Sequence, residues 1–260
     1  MFCNYHAHTV RCHHAEGTER EYIERAIEGG IKKMGFSDHI PFAFPDGHES
    51  GYRVKVAEAE EYIAAINALK EEYKDRIELH VGFESEYYPL YFDKMYENAV
   101  KWGAEYLILG QHFIRNEFPQ GFYCGWQTAD EDHLKIYCDE VVEAIGKGVF
   151  TYVAHPDIFN FSGDRGFYRE QMRRICEAAK ESGTPLEINM LGIREGRHYP
   201  NEDFWQVAGE VGCRAVFGFD AHRAKDAYDA ESLPKAEALA ARHGIEVVSD
   251  PVLVPLRASL

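Results

Sequence analysis

Short apolar runs alternate with amphipathic stretches along the whole chain. The apolar positions in 53–73 recur at helical spacing, which predicts a long amphipathic helix. Thr18 with Glu21, and Thr128 with Glu131, have the spacing of capping boxes and predict where two further helices begin. The apolar runs between such segments predict strands at approximately 2–8, 34–36, 77–83, 106–109, 149–154, 186–189, 215–219 and 245–248.

The alternation of strands and helices predicts a parallel sheet. We count seven βα units with no linker or repeat between them, so residues 1–260 are expected to form one domain. No glycine-rich phosphate-binding motif follows the first strand, which disfavours an open, dinucleotide-binding sheet. Residues suited to metal binding follow six of the seven strands, and a barrel would gather them at one mouth. We therefore favour a closed β/α barrel.

Composition narrows the class of protein further. The chain is 45% hydrophobic and carries a net charge of −16, so it lacks the basic surface that general nucleic-acid binding needs. No apolar stretch approaches the roughly 20 residues of a membrane helix, and the N-terminus does not resemble a signal peptide. The six cysteines form no CxxC pair. A cytoplasmic protein with reduced, mostly buried thiols is expected.

Histidines stand just after the predicted strands. His6 and His8 lie two residues apart on the first strand, so both side chains point to the same side and can hold one metal ion. The other residues in equivalent positions are His39, Glu84, His112, His155, Asp220 and His222. A single histidine at a strand end is usually structural, but coincidence is a poor explanation for this many. Mixed imidazole and carboxylate ligands suit zinc, iron or manganese.

Several short motifs that contain these residues resemble the polymerase-and-histidinol-phosphatase (PHP) superfamily, and most of all its histidinol-phosphatase branch. The motifs occur in the order of that family and cover the chain from about residue 2 to residue 223. They are the HxHTxxCxH pattern of 6–14, Ser37-Asp38-His39, Gly82-Phe83-Glu84-Ser85-Glu86-Tyr87, Gly110-Gln111-His112-Phe113, Ala154-His155-Pro156-Asp157, Glu187-Ile188-Asn189 and Phe219-Asp220-Ala221-His222. Each motif alone is a weak signal, and together they are specific.

The resemblance implies a distorted (β/α)7 TIM-like barrel with three divalent metal ions (zinc, manganese or iron) at the C-terminal ends of its strands. The first ion would be held by His6, His8, Glu84 and Asp220, the second by Glu84, His112 and His155, and the third by His14, His39 and His222. His14 fits the spacing of the family pattern, and the neighbouring His13 remains the alternative ligand.

The resemblance also implies a phosphomonoesterase. A hydroxide bridging two of the ions would attack phosphorus, and L-histidinol phosphate, from histidine biosynthesis, is the leading substrate. Another small phosphate ester or a nucleotide is the alternative within the family. An amidohydrolase-type barrel is disfavoured, because Gln111-His112 stand where that family commonly has a bridging lysine. A non-catalytic metal-binding regulatory module is the least favoured interpretation. The expected partner is a small phosphorylated molecule, with no nucleic acid and no membrane.

Further residues are candidates for contact with a phosphorylated substrate, because phosphoryl transfer depends on positioning and on stabilising negative charge. Arg194 follows the strand at 186–189 in a loop resembling the family's substrate loop, so we assign it to both binding and catalysis. The other candidates are Arg165, Arg197 and His198 for substrate binding, and Asp38 and Asp157 for orienting ligands or shuttling protons. The aromatic run over 113–126 is interpreted as loop packing.

Overall fold

A curled parallel sheet surrounded by helices forms the framework of the protein, which a computed structural model describes for residues 3–119 and 121–258. In that part of the chain the strands are β1 (Cys3–Asn4), β2 (Lys33–His39), β3 (Glu78–Ser85), β4 (Tyr106–Leu109), β5 (Phe113–Ile114), β6 (Phe122–Tyr123), β7 (Phe150–Val153), β8 (Leu186–Asn189), β9 (Arg214–Gly218) and β10 (Glu246–Val247). The helices are α1 (Glu19–Glu28), α2 (Ala59–Tyr73), α3 (Phe92–Trp102), α4 (Glu131–Gly146), α5 (Arg165–Ser182), α6 (Met190–Glu195), α7 (Glu202–Val211) and α8 (Leu233–His243). Short 3₁₀ turns cover Val10–Cys12, Val56–Glu58 and Ala224–Ala227.

Eight of these strands form one parallel sheet, in the order β1-β2-β3-β4-β7-β8-β9-β10. The other two, β5 and β6, pair as a separate antiparallel hairpin. The predicted distorted TIM-like barrel is therefore confirmed, as a strongly curled sheet of eight strands. The eighth strand is the final short run predicted at 245–248, which pairs with β9 as β10. Because neighbouring strands are parallel, their C-terminal ends all face one mouth.

The segments that follow β1 and β9 approach each other at this mouth. Just beyond β1 and β9, Ala7 and Ala221 form an isolated parallel bridge. Asn4 adds a side-chain link, since its Oδ1 accepts from the N–H groups of His6 and Phe219, each at 3.2 Å. The buried side chain of Asn4 therefore connects the first strand to the segment that follows β9.

Two helices begin where a side chain just before the helix accepts hydrogen bonds from backbone N–H groups of the first turn. Thr18 caps α1 with the reciprocal contacts of a capping box to Glu21, as predicted. The box predicted at Thr128 is wrong, because α4 begins after Asp130, whose side chain accepts from two backbone N–H groups of the first turn. A carboxylate directly before the helix satisfies these donors and also interacts well with the positive end of the helix dipole.

The interior of the sheet is filled by a small buried cluster whose members come from strands and their extensions. They are Cys3, Tyr5, Tyr106, Ile108, Tyr152, Ala154 and Val216. A larger apolar cluster lies between the sheet and the helices. The segment after β10 covers the interior from the end opposite the mouth: Asp250 pairs with Lys33 at the start of β2 (2.8 Å), and Leu253 packs against the interior cluster. This segment is held by the Val254 N–H, which donates to Thr151 Oγ1 at 3.2 Å.

Two further features bear on the class of protein. All six cysteines are buried and free, in agreement with the expected reduced thiols. Among residues 3–119 and 121–258, no helix combines the length and the apolar character that a membrane span requires.

We expect Asn4→Ala to lower the free energy of unfolding by about 2 kcal/mol, because it removes two buried hydrogen bonds, those from the His6 and Phe219 N–H groups. Urea denaturation followed by far-UV circular dichroism would measure the change. Asn67→Ala is the matched control: Asn67 is exposed on α2, and its loss should change stability by no more than about 0.5 kcal/mol. Equal stability of the two variants would show that the closure at the mouth does not depend on Asn4.

Candidate metal centre

Side chains from the ends of several strands converge at the mouth of the barrel. His6 and His8 are fully buried, and their Nε2 atoms lie 3.5 and 3.3 Å from Asp220 Oδ1. The same two nitrogen atoms lie 3.5 and 3.6 Å from Glu84 Oε2. Within the described part of the chain, His6 Nε2, His8 Nε2 and Asp220 Oδ1 have no hydrogen-bond partner. Buried nitrogen and oxygen atoms that carry lone pairs, face one another and have no hydrogen-bond partner fit a shared cation.

Glu84 connects this group of side chains to a second one. Its Oε1 lies 2.8 Å from His155 Nε2 and 3.4 Å from His112 Nε2, while Oε2 faces the first group. The carboxylate reaches this position because β3 and β4 approach closely: a Cβ on Gly110 would lie 1.9 Å from Glu84 Oε1. Glycine at 110 therefore leaves room for a carboxylate whose two oxygen atoms face different sets of histidines.

A third group of nitrogen atoms lies beside the first. Ring nitrogens of His14, His39 and His222 lie within 4.8 Å of one another, and His14 Nε2 is 2.9 Å from His222 Nε2. Burial and the neighbouring His222 lower the pKa of His14 to about 4, so its ring is neutral at pH 7 and offers a lone pair. His13 ends the first 3₁₀ turn with a left-handed backbone (φ 64°) and belongs to none of the ligand groups of the described residues. Of the two neighbours, the structure brings His14 to the centre.

The centre carries a strong negative field from buried carboxylates. Burial alone would lower the pKa of His6, but Asp220, Glu187 and Glu84 raise it well above its ordinary value. Burial would likewise raise the pKa of Asp220, yet the surrounding histidines hold it well below its usual range. A divalent cation at this point would neutralise the same field, so the electrostatics of the centre agree with the donor set.

Glu187 and Asn189, on β8, contact groups from the segments that follow β1, β7 and β9. Glu187 Oε1 lies 2.7 Å from His6 Nδ1, and Glu187 Oε2 accepts from the His155 N–H at 3.0 Å. Asn189 Nδ2 donates to Glu187 Oε2 (2.9 Å) and to Asp220 Oδ2 (3.1 Å). Contacts of this kind fix which nitrogen of a histidine faces a metal. This role was not predicted from the sequence, although two polar residues at i and i+2 of an apolar strand point to the same face.

The backbone is strained at two residues of the centre. His155 and Asp220 have positive φ angles of 28° and 46°, which residues with a side chain rarely adopt. Such strain persists where surrounding contacts enforce it, and it concentrates at functional sites. Gly218, two residues before Asp220, provides the space that Glu187 needs, since a Cβ there would lie 1.7 Å from Glu187 Oε1.

Two aspartates predicted to orient ligands or shuttle protons are buried behind the ligands rather than in the pocket wall. Asp38 accepts from the Thr9 N–H at 2.8 Å and lies 3.6 Å from His8 Nδ1, so it faces the back of a candidate ligand. Asp157 accepts from the Asn201 N–H at 2.5 Å, and burial raises the pKa of this carboxyl to about 7. Both positions suit orientation of other groups better than direct contact with a substrate.

A pocket of about 360 Å³ opens onto the three groups. Its wall combines aromatic rings and aliphatic side chains with one carboxylate and one guanidinium. Apart from the candidate ligands, it is lined by Tyr52, Phe113, Tyr123, Ile158, Leu191, Glu195, Arg197 and Tyr199. The aromatic run at 113–126 is therefore more than loop packing, because the hairpin of β5 and β6 brings Phe113 and Tyr123 into this wall.

The four residues predicted to bind a substrate lie in different places. Arg197 lines the pocket, where its Nη1 donates to Tyr199 OH at 2.9 Å and its Nη2 to Glu195 at 2.6 Å. Arg165 lies at the surface at the start of α5 and forms an ion pair with Asp203. The structure thus brings Arg197 to the pocket and leaves Arg165 outside its lining.

Arg194 and His198 also lie outside the pocket lining. Arg194 pairs with Asp229 at 3.0 Å and donates to the carbonyl oxygen of Asp220 at 3.3 Å, so it contacts the backbone of the strained turn. His198 Nε2 lies 2.6 Å from the carbonyl oxygen of Ile158. These two residues hold segments of the mouth together.

The model of the PHP domain family matches residues 4–190. The chain belongs to the PHP domain family. Membership confirms the predicted family, and with it a metal-dependent enzyme. The chain is 28% identical over 228 residues to a protein of Deinococcus radiodurans called a probable histidinol-phosphatase, covering 85% of this chain and 86% of that protein. It is 26% identical over 259 residues to the histidinol-phosphatase of Bacillus subtilis, covering 86% of this chain and 96% of that one.

A solved structure of histidinol phosphate phosphatase from Lactococcus lactis, in complex with zinc, L-histidinol and phosphate, has the same fold. The two chains superpose with a TM-score of 0.73 at 22% identity, over 95% of each. This likeness agrees with the barrel fold described above.

We expect Gly218→Ala to reduce the zinc retained by the purified PHP chain, because the added methyl group displaces Glu187 from His6. Overpacking of this kind should also lower the free energy of unfolding by about 1–3 kcal/mol. Metal per chain, measured by mass spectrometry after dialysis against buffered zinc, tests the idea. Gly146→Ala is the control, since a Cβ at this position of α4 meets no atom within 4 Å. Unchanged zinc content in Gly218→Ala would contradict the orienting role of Glu187.

Proposed function

We propose that this protein is a metal-dependent phosphomonoesterase that hydrolyses L-histidinol phosphate to L-histidinol and phosphate. The observation that carries the proposal is the mouth of the barrel, where nine side chains of ligand type lie close together and seven of them form the floor of a pocket with a partly aromatic wall. The relatives that match most of the chain bear the same activity in their names. The reaction belongs to histidine biosynthesis, which fits a protein that acts in the cytoplasm.

The donor set supports three divalent ions, with zinc, manganese and iron all suited to it. When bound, such ions supply positive charge for the phosphate oxygens and lower the pKa of a water nucleophile to near neutrality. The proposed ligands are His6, His8, Glu84 and Asp220 for the first ion, Glu84, His112 and His155 for the second, and His14, His39 and His222 for the third. The zinc in the Lactococcus lactis structure favours zinc as the first ion to test.

The pocket wall offers a partner for each part of L-histidinol phosphate. Arg197 is the guanidinium of the wall and is the proposed contact for the phosphate, since a planar fork of donors matches its oxygen atoms. Glu195 is the proposed acceptor for the substrate ammonium group. Tyr123 and Phe113 offer aromatic faces on which an imidazole ring can pack.

Three further residues predicted from the sequence, Asp38, Asp157 and Arg194, contact neighbours of the site rather than the pocket itself. Asp38 keeps the ring of His8 oriented from behind, while Arg194 holds the backbone of the turn that carries Asp220. Asp157 anchors the start of α7 through the Asn201 N–H. We propose orientation, rather than proton transfer, as the contribution of all three.

Phosphate release from a panel of esters tests the proposed substrate. We expect kcat/KM for L-histidinol phosphate to exceed that for 4-nitrophenyl phosphate and for AMP by about 100-fold or more, because the wall recognises both the ring and the ammonium group. Equal rates on L-histidinol phosphate and the aryl ester would exclude the histidine-biosynthesis assignment.

Chelation provides the control for this measurement. Exhaustive treatment with a strong chelator should abolish phosphate release, and added zinc, manganese or iron should restore it. Full activity after verified removal of all metal would contradict the metal-dependent mechanism itself, whatever the substrate.

Substitution of Arg197 separates substrate recognition from the metal centre. We expect Arg197→Met to raise KM for L-histidinol phosphate by about 10-fold or more, since a charged hydrogen-bonding partner of the phosphate is lost. Bound metal should be unchanged, because Arg197 contacts no proposed ligand. Arg169→Met is the control, as Arg169 forms ion pairs with Asp203 and Glu210 on the outer face. A native KM in Arg197→Met would remove Arg197 from the binding site.

A further inference from the structure

A buried arginine lies directly behind the metal centre. Arg53 precedes α2 and its side chain is 1% exposed, yet all of its nitrogen atoms have acceptors. The acceptors are Glu117 (Nε, 3.0 Å), Ile40 O and Glu86 (Nη1, 3.3 and 2.7 Å), and Tyr52 OH and Tyr88 OH (Nη2, 2.8 and 3.2 Å). Such complete satisfaction is what a charge removed from water requires. The arrangement therefore fixes the guanidinium in one orientation.

Glu86 transmits this orientation to a proposed metal ligand. Its Oε2 accepts from Arg53 at 2.7 Å, and its Oε1 lies 3.0 Å from His112 Nδ1. The opposite ring nitrogen, His112 Nε2, faces Glu84 Oε1 at 3.4 Å. A carboxylate thus accepts at one ring nitrogen, which leaves the lone pair of the other directed to the centre.

We propose that Arg53 and Glu86 are positioning residues that set the affinity of the centre for the ion held by His112. Arg53 keeps the Glu86 carboxylate in place, and Glu86 keeps the proton of His112 on Nδ1. The inference rests on the proposed metal centre but not on the identity of the substrate. Neither residue lines the pocket, so neither has to touch the substrate to affect the reaction.

The same guanidinium also holds part of the pocket wall. Tyr52 OH accepts from Arg53, and the Tyr52 ring packs edge-on against His39 and stacks on Phe113. The loop after β2, the loop after β3 and the loop after β4 therefore meet at one charged side chain. Through this junction, Arg53 couples the orientation of a ligand to the position of an aromatic ring that faces the substrate.

Zinc affinity of the full chain provides the test, measured by competition with a chromophoric chelator and without substrate. We expect Glu86→Gln to weaken binding of one zinc ion by about 10–100-fold and to leave the other ions unchanged. Arg53→Met should weaken the same ion, and should have little further effect when Glu86→Gln is already present, because the two act in series.

The chain contains a matched control for this pair. Glu105 lies 2.7 Å from His80 Nδ1 and also pairs with Lys70, so it forms the same carboxylate, histidine and cation arrangement away from the proposed ligands. Glu105→Gln should leave zinc affinity unchanged. Arg169→Met controls for the loss of an arginine ion pair. Circular dichroism of each metal-free variant verifies folding. If Arg53→Met proves unstable, Arg53→Lys, which keeps the charge, takes its place. Its zinc affinity should be lower than that of the unaltered chain but higher than that of Glu86→Gln.

A second readout distinguishes positioning from a general loss of structure. Nitrogen-15 NMR of the zinc-loaded protein should show the His112 proton on Nδ1, protected from exchange, and Glu86→Gln should lose that protection. Native zinc affinity in folded Glu86→Gln would overturn the inference, as would full additivity of the two substitutions. Failure of the unaltered chain to bind zinc would instead contradict the proposed function, so the two failures are distinguishable.

Discussion

The concentration of buried negative charge at the mouth is the constraint on which the rest of this structure depends. Glu84, Asp220 and Glu187 each lie within 3.5 Å of a ring nitrogen of His6 and are almost wholly removed from water. Isolated carboxylates in such a place would cost several kcal/mol each. Histidine nitrogens surround them, and the fit of those atoms to divalent ions explains why charges of one sign can remain together. The fold serves to bring these groups to one point from distant parts of the chain.

Backbone geometry makes this convergence possible. Two glycines, Gly110 and Gly218, give the carboxylates of Glu84 and Glu187 the space that any other residue would occupy. Left-handed turns at His155 and Asp220 aim two more groups inward. The bridge between Ala7 and Ala221 then joins the segment that follows β1 to the segment that follows β9. At the mouth, the same close contacts therefore stabilise the fold and set the geometry of the site.

The groups gathered at the mouth could be predicted from the sequence because their placement depends on short-range rules. Strand period puts His6 and His8 on one side, and parallel strands bring residues such as Glu84 to one end. The roles of Glu187 and Arg53 could not be predicted in this way. Glu187 meets His6 across 181 positions of the chain, and Arg53 meets Glu86 across 33, so their roles are visible only after folding.

The sequence also could not decide which of two arginines after β8, Arg194 or Arg197, lines the pocket, although the two are three residues apart. The short helix α6 turns Arg194 toward Asp229 and the strained turn, whereas Arg197 lies beyond its end and lines the pocket. The difference depends on acidic partners from the far end of the chain, and no local pattern carries that information. The same limit applies to Phe113 and Tyr123, whose exposure to the pocket depends on hairpin pairing.

The segment after β10, which covers the end of the barrel opposite the mouth, determines how a substrate can enter and how products can leave. Leu253 and the tyrosines of the interior cluster fill the space beneath the ligands, so the barrel has the form of a cup. In the part of the chain that the structure describes, the pocket therefore opens on one side. In the proposed reaction, both products leave by the route through which the substrate entered.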